Sequence, residues 1–527
     1  MKKQITFKIF WVIVCALSIG VALFSCLTYG RAHIINDVAT ASLLAKSQLA
    51  SGEFFPKTWQ YAHSDLWAFD LNIFVLPFML ICKDQSLARM LGSAVVIILT
   101  CVGMMLVSKK VYKDDSYLLA IPFLLLFLPG TYNWVIWEAS YTIIMMYLAF
   151  AIALCYMVYE KQSWKNVLLL AIVLFVSCLE GTRFVAEITV PAIGAIFFLE
   201  YGKAKKKKIK ESIENIKKFC IVFGTLVIPS ALGIFVYNNI CEKTLINSAE
   251  GTEMSFLPII TDCWTNFENC IIYTMHVFGY IGGASLFSLV GIATMVGIVC
   301  AITICLVIPI IQLKKMEKES DGVKFLLLFM IIHNAIMVIM FIFMGFNEPR
   351  YLLTSIFLSI VVAARLVYGI YLKEDVVKRY FWSAIILIMI FVQVVSILKL
   401  GKGWNEKLAC QKEFAGKLEE TGAIKGYADT FYSGPLEVYS DFELSMGQVR
   451  FSEEGIQPME WLIDMKKFEP SNEASFILLS EFENNMFTPI SEAYLGQSID
   501  SFCIDNADGE QMYVYVYDYD VAEKLVR

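Results

Sequence analysis

The sequence predicts a mainly α-helical, polytopic transmembrane bundle of about 11–13 spans with a small soluble α/β domain at its C-terminal end. Three observations carry this. Of 527 residues 58% are hydrophobic and only 17% charged, and the mean hydropathy of +0.63 is far above that of a soluble chain of this length. Apolar runs long enough to cross about 30 Å of hydrocarbon recur along the first 400 residues. From residue 401 the composition turns polar and acidic, with ten Lys and Arg against 24 Asp and Glu, a net charge of −14, whereas the preceding residues carry 33 against 25 and a net +8. Two domains follow: a membrane domain over residues 1–400 that includes a first extracytoplasmic loop at 31–70, and a soluble acidic domain over 401–527.

Taken in order, the first apolar run covers residues 8–30. It lacks a small-residue cleavage site opening onto soluble sequence, so it reads as a retained helix. The polar, aromatic-rich stretch 31–77 comes next. Within it, Val38, Ala41, Leu44, Ala45 and Leu49 share one helical face, which predicts an amphipathic helix over 36–50 lying on the membrane surface. Asn36 or Asp37 would cap its start, and Ser51-Gly52 would end it. Phe54, Phe55, Trp59, Tyr61, Trp67 and Phe69 then read as an interfacial aromatic belt. Further spans are expected near 86–107, 116–129, 134–159, 164–180, 183–201, 218–241, 276–312, 323–345, 351–371 and 380–399, with a shorter apolar run at 69–82.

Basic residues set the orientation. Lys2, Lys3 and Lys8, the Lys109–Lys113 group, the run Lys203–Lys218, Lys314–Lys318 and the Lys373–Arg379 group are cytoplasmic by the positive-inside rule, which leaves loops 31–68, 130–133, 181–182, 242–275 and 346–350 outside, along with everything after about residue 400. One conflict remains in this reading, because two crossings between residues 69 and 107 would put Lys109 and Lys110 on the wrong side. Either the run 69–82 does not cross, or these lysines violate the rule, or a hairpin hides within 276–312.

The outward segments hold the chemistry-bearing residues. TYNWVIWEASYT, residues 131–142, combines Trp134, Trp137 and Tyr141 with one acid, Glu138. Glu180, Arg183 and Glu187 lie where two spans meet, a depth at which charges are paired or functional. Arg350 and Tyr351 open another span beside Glu348. The eight lysines of residues 202–218 read as an orienting cytoplasmic loop rather than a nucleic-acid patch. His333, deep in an apolar run, reads as a satisfied core histidine. Fourteen cysteines lie mostly in apolar runs without metal-binding spacing; Cys263 with Cys270, or Cys410 with Cys503, would pair only in an oxidising compartment. In the acidic domain, helices are predicted near 405–421 and 458–468, and strands near 435–440, 447–451, 475–480 and 511–518, the last from the alternation of QMYVYVYD.

The order of these parts resembles the GT-C superfamily of polyprenyl-phosphate-sugar-dependent membrane glycosyltransferases: an N-terminal span, an outward loop opening on Asp37 and running through a helix to Gly52, Pro56 and an aromatic string, many spans, an outward Arg350-Tyr351 and a soluble tail. The layout is similar to protein O-mannosyltransferases and to the aminoarabinose transferases of lipid A. The tail segment KGYADTFYSGPLEVYS, residues 425–440, resembles outward domains of bacterial members of this group.

The resemblance implies transfer of a sugar, with inversion, from a polyprenyl phosphate or diphosphate carrier to a hydroxyl or amine acceptor on a cell-envelope glycan, lipid or protein, at the outer face of a bacterial cytoplasmic membrane. By position, Asp37 matches the first-loop acid that the family uses as general base. Members often carry an Asp-Glu pair there, whereas Val38 follows Asp37 here, so a divalent metal is not supported and no other cofactor is implied. The leaving phosphate needs outward cations, for which side and chemistry nominate Arg183 and Arg350, with Lys57 and His63 behind them. Glu138, Trp59, Tyr61 and Tyr351 are the candidates for the acceptor side or the cavity wall. Each has a plainer reading: Asp37 as a helix cap, Arg183 paired with Glu180 or Glu187, Arg350 paired with Glu348, His63 as an interfacial hydrogen-bonding residue. The alternatives are a lipid or glycan transporter or flippase, and a glycan polymerase or ligase. No nucleic-acid partner is expected, and the sequence says nothing of oligomeric state.

Overall fold

The computed structural model describes residues 2–62, 66–204, 209–241, 243–247, 260–285, 287–343, 348–373, 375–452 and 455–525. The chain divides into two compact units. One comprises Met1–Leu23, Val96–Asn238 and Glu253–Leu400, the other Phe24–Val95, Asn239–Thr252 and Gly401–Arg527. The helices run in chain order α1 (Lys2–Thr28), α2 (Asn36–Ser51), α3 (Leu71–Met79), α4 (Gln85–Leu106), α5 (Tyr117–Leu126), α6 (Ser140–Glu160), α7 (Trp164–Cys178), α8 (Val190–Ala204) and α9 (Ile209–Cys241). They continue with α10 (Ile260–Val277), α11 (Leu289–Ile302), α12 (Ile308–Lys315), α13 (Asp321–Phe343), α14 (Leu353–Lys373), α15 (Val376–Leu400), α16 (Trp404–Glu419), α17 (Thr430–Tyr439) and α18 (Glu481–Leu495).

Among the described residues nine helices are long and apolar enough to cross a membrane, and α5 and α7 are shorter apolar helices. The chain is a multi-pass membrane protein. The short run 69–82 holds no membrane-length helix: α3 has 9 residues, about 13 Å of helix, which is less than half the hydrocarbon thickness. No hairpin hides in 276–312 either, since α11 and α12 join through a π-helical turn into one apolar helix, Leu289–Lys318.

One end of the membrane unit is ringed by ion pairs. Lys8 and Lys109 both meet Asp115, Lys113 meets Glu160, Lys203 meets Asp321 at 2.5 Å, and Arg365 meets Glu319 at 2.8 Å. Glu160 closes α6 while Tyr141 sits in its first turn, so Tyr141 and the groups around it stand some 30 Å of helix away from that charged ring.

The second unit is built around α2. Eleven of its residues are buried, Val38, Leu43 and Leu44 among them; burying each such side chain contributes about 1.5–3 kcal/mol relative to leaving it exposed. The helix is therefore a core element rather than a ribbon lying on a surface, because it is covered by α3 on one side and α17 on another. Neither Asn36 nor Asp37 caps it: Ile35 occupies the N-cap without a side-chain bond, and Gly52, at φ 68°, closes it in the left-handed region that glycine tolerates.

Residues 401–527 form a six-stranded sheet of β3 (Lys425–Ala428), β4 (Ser445–Ser452), β5 (Gly455–Pro458), β7 (Ser475–Ser480), β8 (Asp500–Asp505) and β9 (Gln511–Tyr517), ordered β5-β4-β3-β7-β9-β8. β3 runs parallel to β4 and β7, and the outer pairings are antiparallel. A smaller sheet joins β1 (Trp59–Ala62) to β2 (Leu245–Asn247) in parallel and to β6 (Ile463–Asp464) antiparallel. Two expectations fail in this domain. The strand expected at 435–440 lies inside α17, because the Asp429 side chain accepts from the Phe431 N–H at 2.9 Å and starts a helix there. The helix expected at 458–468 is instead β6 and a 3₁₀ turn, since this segment pairs with β1. The cysteines of both candidate disulfides are free thiols.

Asp520, fully buried, is the polar centre of the domain. It accepts from Lys425 Nζ (2.6 Å), the Tyr427 hydroxyl (2.6 Å) and both the N–H and hydroxyl of Ser471. Burial opposes its charge, but Lys425 and these hydrogen bonds outweigh burial and hold its carboxyl below the usual range. A carboxyl depressed in the folded state contributes stability above its unfolded pKa, and that contribution is lost as pH falls through the folded value. Lys425→Met is expected to destabilise the domain by on the order of 3–5 kcal/mol, because it leaves a buried carboxylate without its cation. Thermal unfolding of the full chain in detergent at neutral pH measures this, and an unchanged melting temperature contradicts it.

Candidate active site

The residues singled out in the sequence divide between the two units, except His63, which lies outside the described residues. In the membrane unit, Glu138, Tyr141, Arg183, Glu187, Arg350 and Tyr351 come to the end opposite the charged ring. Two π-helical turns shape it, Asn133–Trp137 ahead of Glu138 and Val185–Thr189 around Glu187; such turns widen a helix and redirect side chains, often at functional positions.

Arg183 Nε donates to Glu187 Oε1 at 2.6 Å across one helical turn. Its guanidinium also lies 5.1 Å from the Tyr141 ring centroid, a cation–π distance. Tyr141 meets Tyr351 edge-on at 6.4 Å, and the Arg350 guanidinium lies 5.6 Å from the Tyr351 ring and pairs with Glu348. Both predicted guanidinium groups are thus linked through two tyrosines, and both pairings foreseen as their plainer role are present. Arg183 Nη2 is nevertheless buried with no hydrogen-bond partner among the described residues, which leaves a charged donor available to a ligand. Glu138 is 4% exposed, just before Ala139, whose φ of 58° turns the chain into α6.

His333, at 0% exposure, shares a hydrogen bond with the Glu187 carbonyl (2.9 Å) and another with Thr354 (3.2 Å). It is a satisfied core histidine that ties α13 and α14 to the turn bearing Glu187.

In the second unit, Asp37 lies half-buried in the first turn of α2. Lys57 is exposed and pairs with Glu53 at 3.2 Å. Trp59 and Tyr61 are fully buried on β1, so they pack within the unit instead of forming an interfacial belt; the small sheet, invisible in the sequence, draws them in.

A cavity of about 430 Å³ opens between the C-terminal half of α2 and the acidic domain, lined by Lys46, Ser47, Trp59, Glu437, Asp464 and Lys467 among others. Several of its charges engage one another. Glu437, fully buried, pairs with Lys467 and with Lys46 (3.4 Å), and Ser47 donates to Asp464 at 2.7 Å. Burial works against the Glu437 charge, but the two lysines outweigh it and hold the carboxyl below the usual range.

Nearer α1, Asp84 accepts from Arg31, from Lys412 at 2.8 Å and from Ser86. Burial opposes ionisation here too, yet these donors hold its carboxyl down at about 2. Neither network carried a signal in the sequence, because partners such as Lys46 and Glu437 stand 391 residues apart. No group of three or more His, Cys, Asp or Glu suited to a metal ion occurs among the described residues.

No family model matches the chain, and no curated protein matches it. Solved structures do. ArnT from Cupriavidus metallidurans bound to undecaprenyl phosphate matches over 97% of this chain and 98% of its own, at 11% identity and a TM-score of 0.51. The apo state of the same protein matches over the full length of both chains at 11% identity and a TM-score of 0.47. The chain therefore shares its overall fold, from the helical membrane part to the C-terminal sheet domain, with ArnT.

Proposed function

We propose that this chain is a membrane glycosyltransferase that moves a sugar from a polyprenyl phosphate or diphosphate carrier to a hydroxyl or amine acceptor at the outer face of the cytoplasmic membrane. The observation that carries the reading is the whole-chain likeness in fold to a transferase crystallised with undecaprenyl phosphate. The unpartnered Arg183 Nη2 in the tyrosine-linked pair of guanidinium groups adds to it.

In this reaction the acceptor oxygen or nitrogen attacks the anomeric carbon from the face opposite the carrier. The bond from that carbon to the phosphate oxygen breaks, the configuration inverts, and the acceptor proton passes to the Asp37 carboxylate. Arg183 and Arg350 meet the negative charge that develops on the departing phosphate, where fixed cations lower the barrier most. Glu138, Tyr351, Trp59 and Tyr61 serve the acceptor or the cavity wall, and residues 401–527 form the extracytoplasmic domain.

Sidedness rests on counting. Among the described residues α1, α4, α6, α8, α9, the α11–α12 pair, α13, α14 and α15 give nine membrane-length apolar helices, and adding the shorter pair α5 and α7 gives eleven; both counts are odd. With Lys2, Lys3 and Lys8 inside, an odd number leaves the C-terminal segment outside.

The test supplies membranes containing the chain with radiolabelled sugar on a polyprenyl phosphate. Label leaving the carrier for an aqueous or lipid acceptor is the expected result. Intact labelled carrier crossing the bilayer without loss of sugar would identify a flippase instead, and label appearing only in lengthening glycan chains would identify a polymerase.

A further inference from the structure

The α2 helix is fastened at its first turn by side chains from the far end of the sequence. Asn36, immediately before Asp37, donates through Nδ2 to the Thr430 hydroxyl at 2.7 Å. That hydroxyl donates to Gln448 Oε1 at 3.5 Å, and Gln448 Nε2 donates back to Asn36 Oδ1 at 3.4 Å. The three groups close a ring in which each is both donor and acceptor, with Asn36 8% and Gln448 1% exposed. Gly434 of α17 backs the ring: a Cβ there would stand 2.8 Å from Asn36 Oδ1 and 3.3 Å from the Ala39 Cβ. Just upstream, Tyr439 accepts from the Ile34 N–H (3.2 Å) and donates to the Arg31 carbonyl (3.0 Å).

Apolar packing alone would leave the rotation of α2 about its own axis loosely set; Lys46–Glu437 and Ser47–Asp464 restrain its C-terminal half, and the ring acts at its first turn. A closed ring of directional bonds fixes that rotation, and a buried polar ring is tolerated only when every member is satisfied. Each of these fastenings falls within six residues upstream of Asp37 or on its neighbour, and each partner lies between residues 430 and 448.

We propose that Thr430, Gln448 and Asn36, with Gly434 behind them, are positioning residues for the transfer reaction: they set the angle at which α2 presents Asp37, which gives the acidic domain a role in catalysis. The proposal rests on Asp37 being the general base. A carboxylate displaced by a fraction of an ångström still binds nothing less tightly, but it accepts the acceptor proton more slowly.

The test uses the full chain in membranes, with transfer rates normalised to folded protein. Thr430→Val removes the hydroxyl from the ring, and Gly434→Ala pushes a methyl into Asn36 Oδ1. Each is expected to lower kcat by on the order of tenfold with the KM for the lipid-linked donor unchanged, and Thr430→Ser, which keeps the hydroxyl, is expected to restore the rate. Phe487→Leu in the sheet-domain core serves as the stability control: it lowers the melting temperature without changing kcat per folded molecule. Wild-type kcat in both Thr430→Val and Gly434→Ala, alongside an inactive Asp37→Asn, overturns the positioning role while leaving the base in place. Full activity in Asp37→Asn removes the base assignment itself, and the positioning role falls with it.

Discussion

Membranes carrying Asp37→Asn are expected to transfer sugar about 10²–10⁴-fold more slowly than membranes carrying the unaltered chain, the range that a positioned general base supplies. The substitution keeps the shape of the side chain and removes its basicity. A structural explanation of such a loss is constrained by the helix itself: Asp37 is not the cap of α2, whose N-cap is Ile35. The substitution also weakens the interaction of a carboxylate with the positive end of a helix, about 0.3–1 kcal/mol. Comparable amounts of folded protein with and without the substitution, together with a collapsed rate, would tie Asp37 to proton transfer. An unchanged rate would remove it from the reaction.

Arg183→Gln is expected to slow transfer by about 10²–10³-fold, the effect of removing one preorganised donor from a developing negative charge. It also strips the cation from Glu187, which is 1% exposed, so the single variant confounds binding with structure. The pair Arg183→Gln with Glu187→Gln separates them. If Arg183 only balances Glu187, the neutral pair regains activity; if Arg183 serves the phosphate, the pair stays slow although its folding recovers. Arg183→Lys is expected to recover only part of the rate, because an ammonium keeps the charge but lacks the planar fork that can bond Glu187 and a phosphate oxygen together.

What could be read from the sequence follows the range of the interactions responsible. Crossing a bilayer takes about 20 apolar residues in one continuous run, so most spans stand out, and α3 falls short of that length. The Arg183–Glu187 pair is one helical turn apart, and β9 alternates strictly between the two faces of its sheet; both are local facts that spacing reports. α2 was legible as a helix, but its surroundings were not, since Ser47 and Asp464 are 417 residues apart and no periodicity records such a pairing. Trp59 and Tyr61 looked like surface aromatics because the strands that bury them, β2 and β6, are too short to be noticed alone. In the sheet domain, the run Leu436-Glu437-Val438-Tyr439 reads as a strand until the Asp429 cap is taken into account.

The ring around Asn36 also sets a timetable for the chain as it is made. Asn36 and Gln448 are 412 residues apart, and ribosomes add about 5–20 residues per second, so α2 spends roughly 20–80 s of each synthesis without the partners that seat it. During that interval a helix whose native state is buried on most sides stands open to proteases and to wrong pairings. A segment translated after every apolar span closes the earliest loop, and a truncation between residues 400 and 430 leaves a chain that keeps all its spans while its first-loop helix lacks these partners.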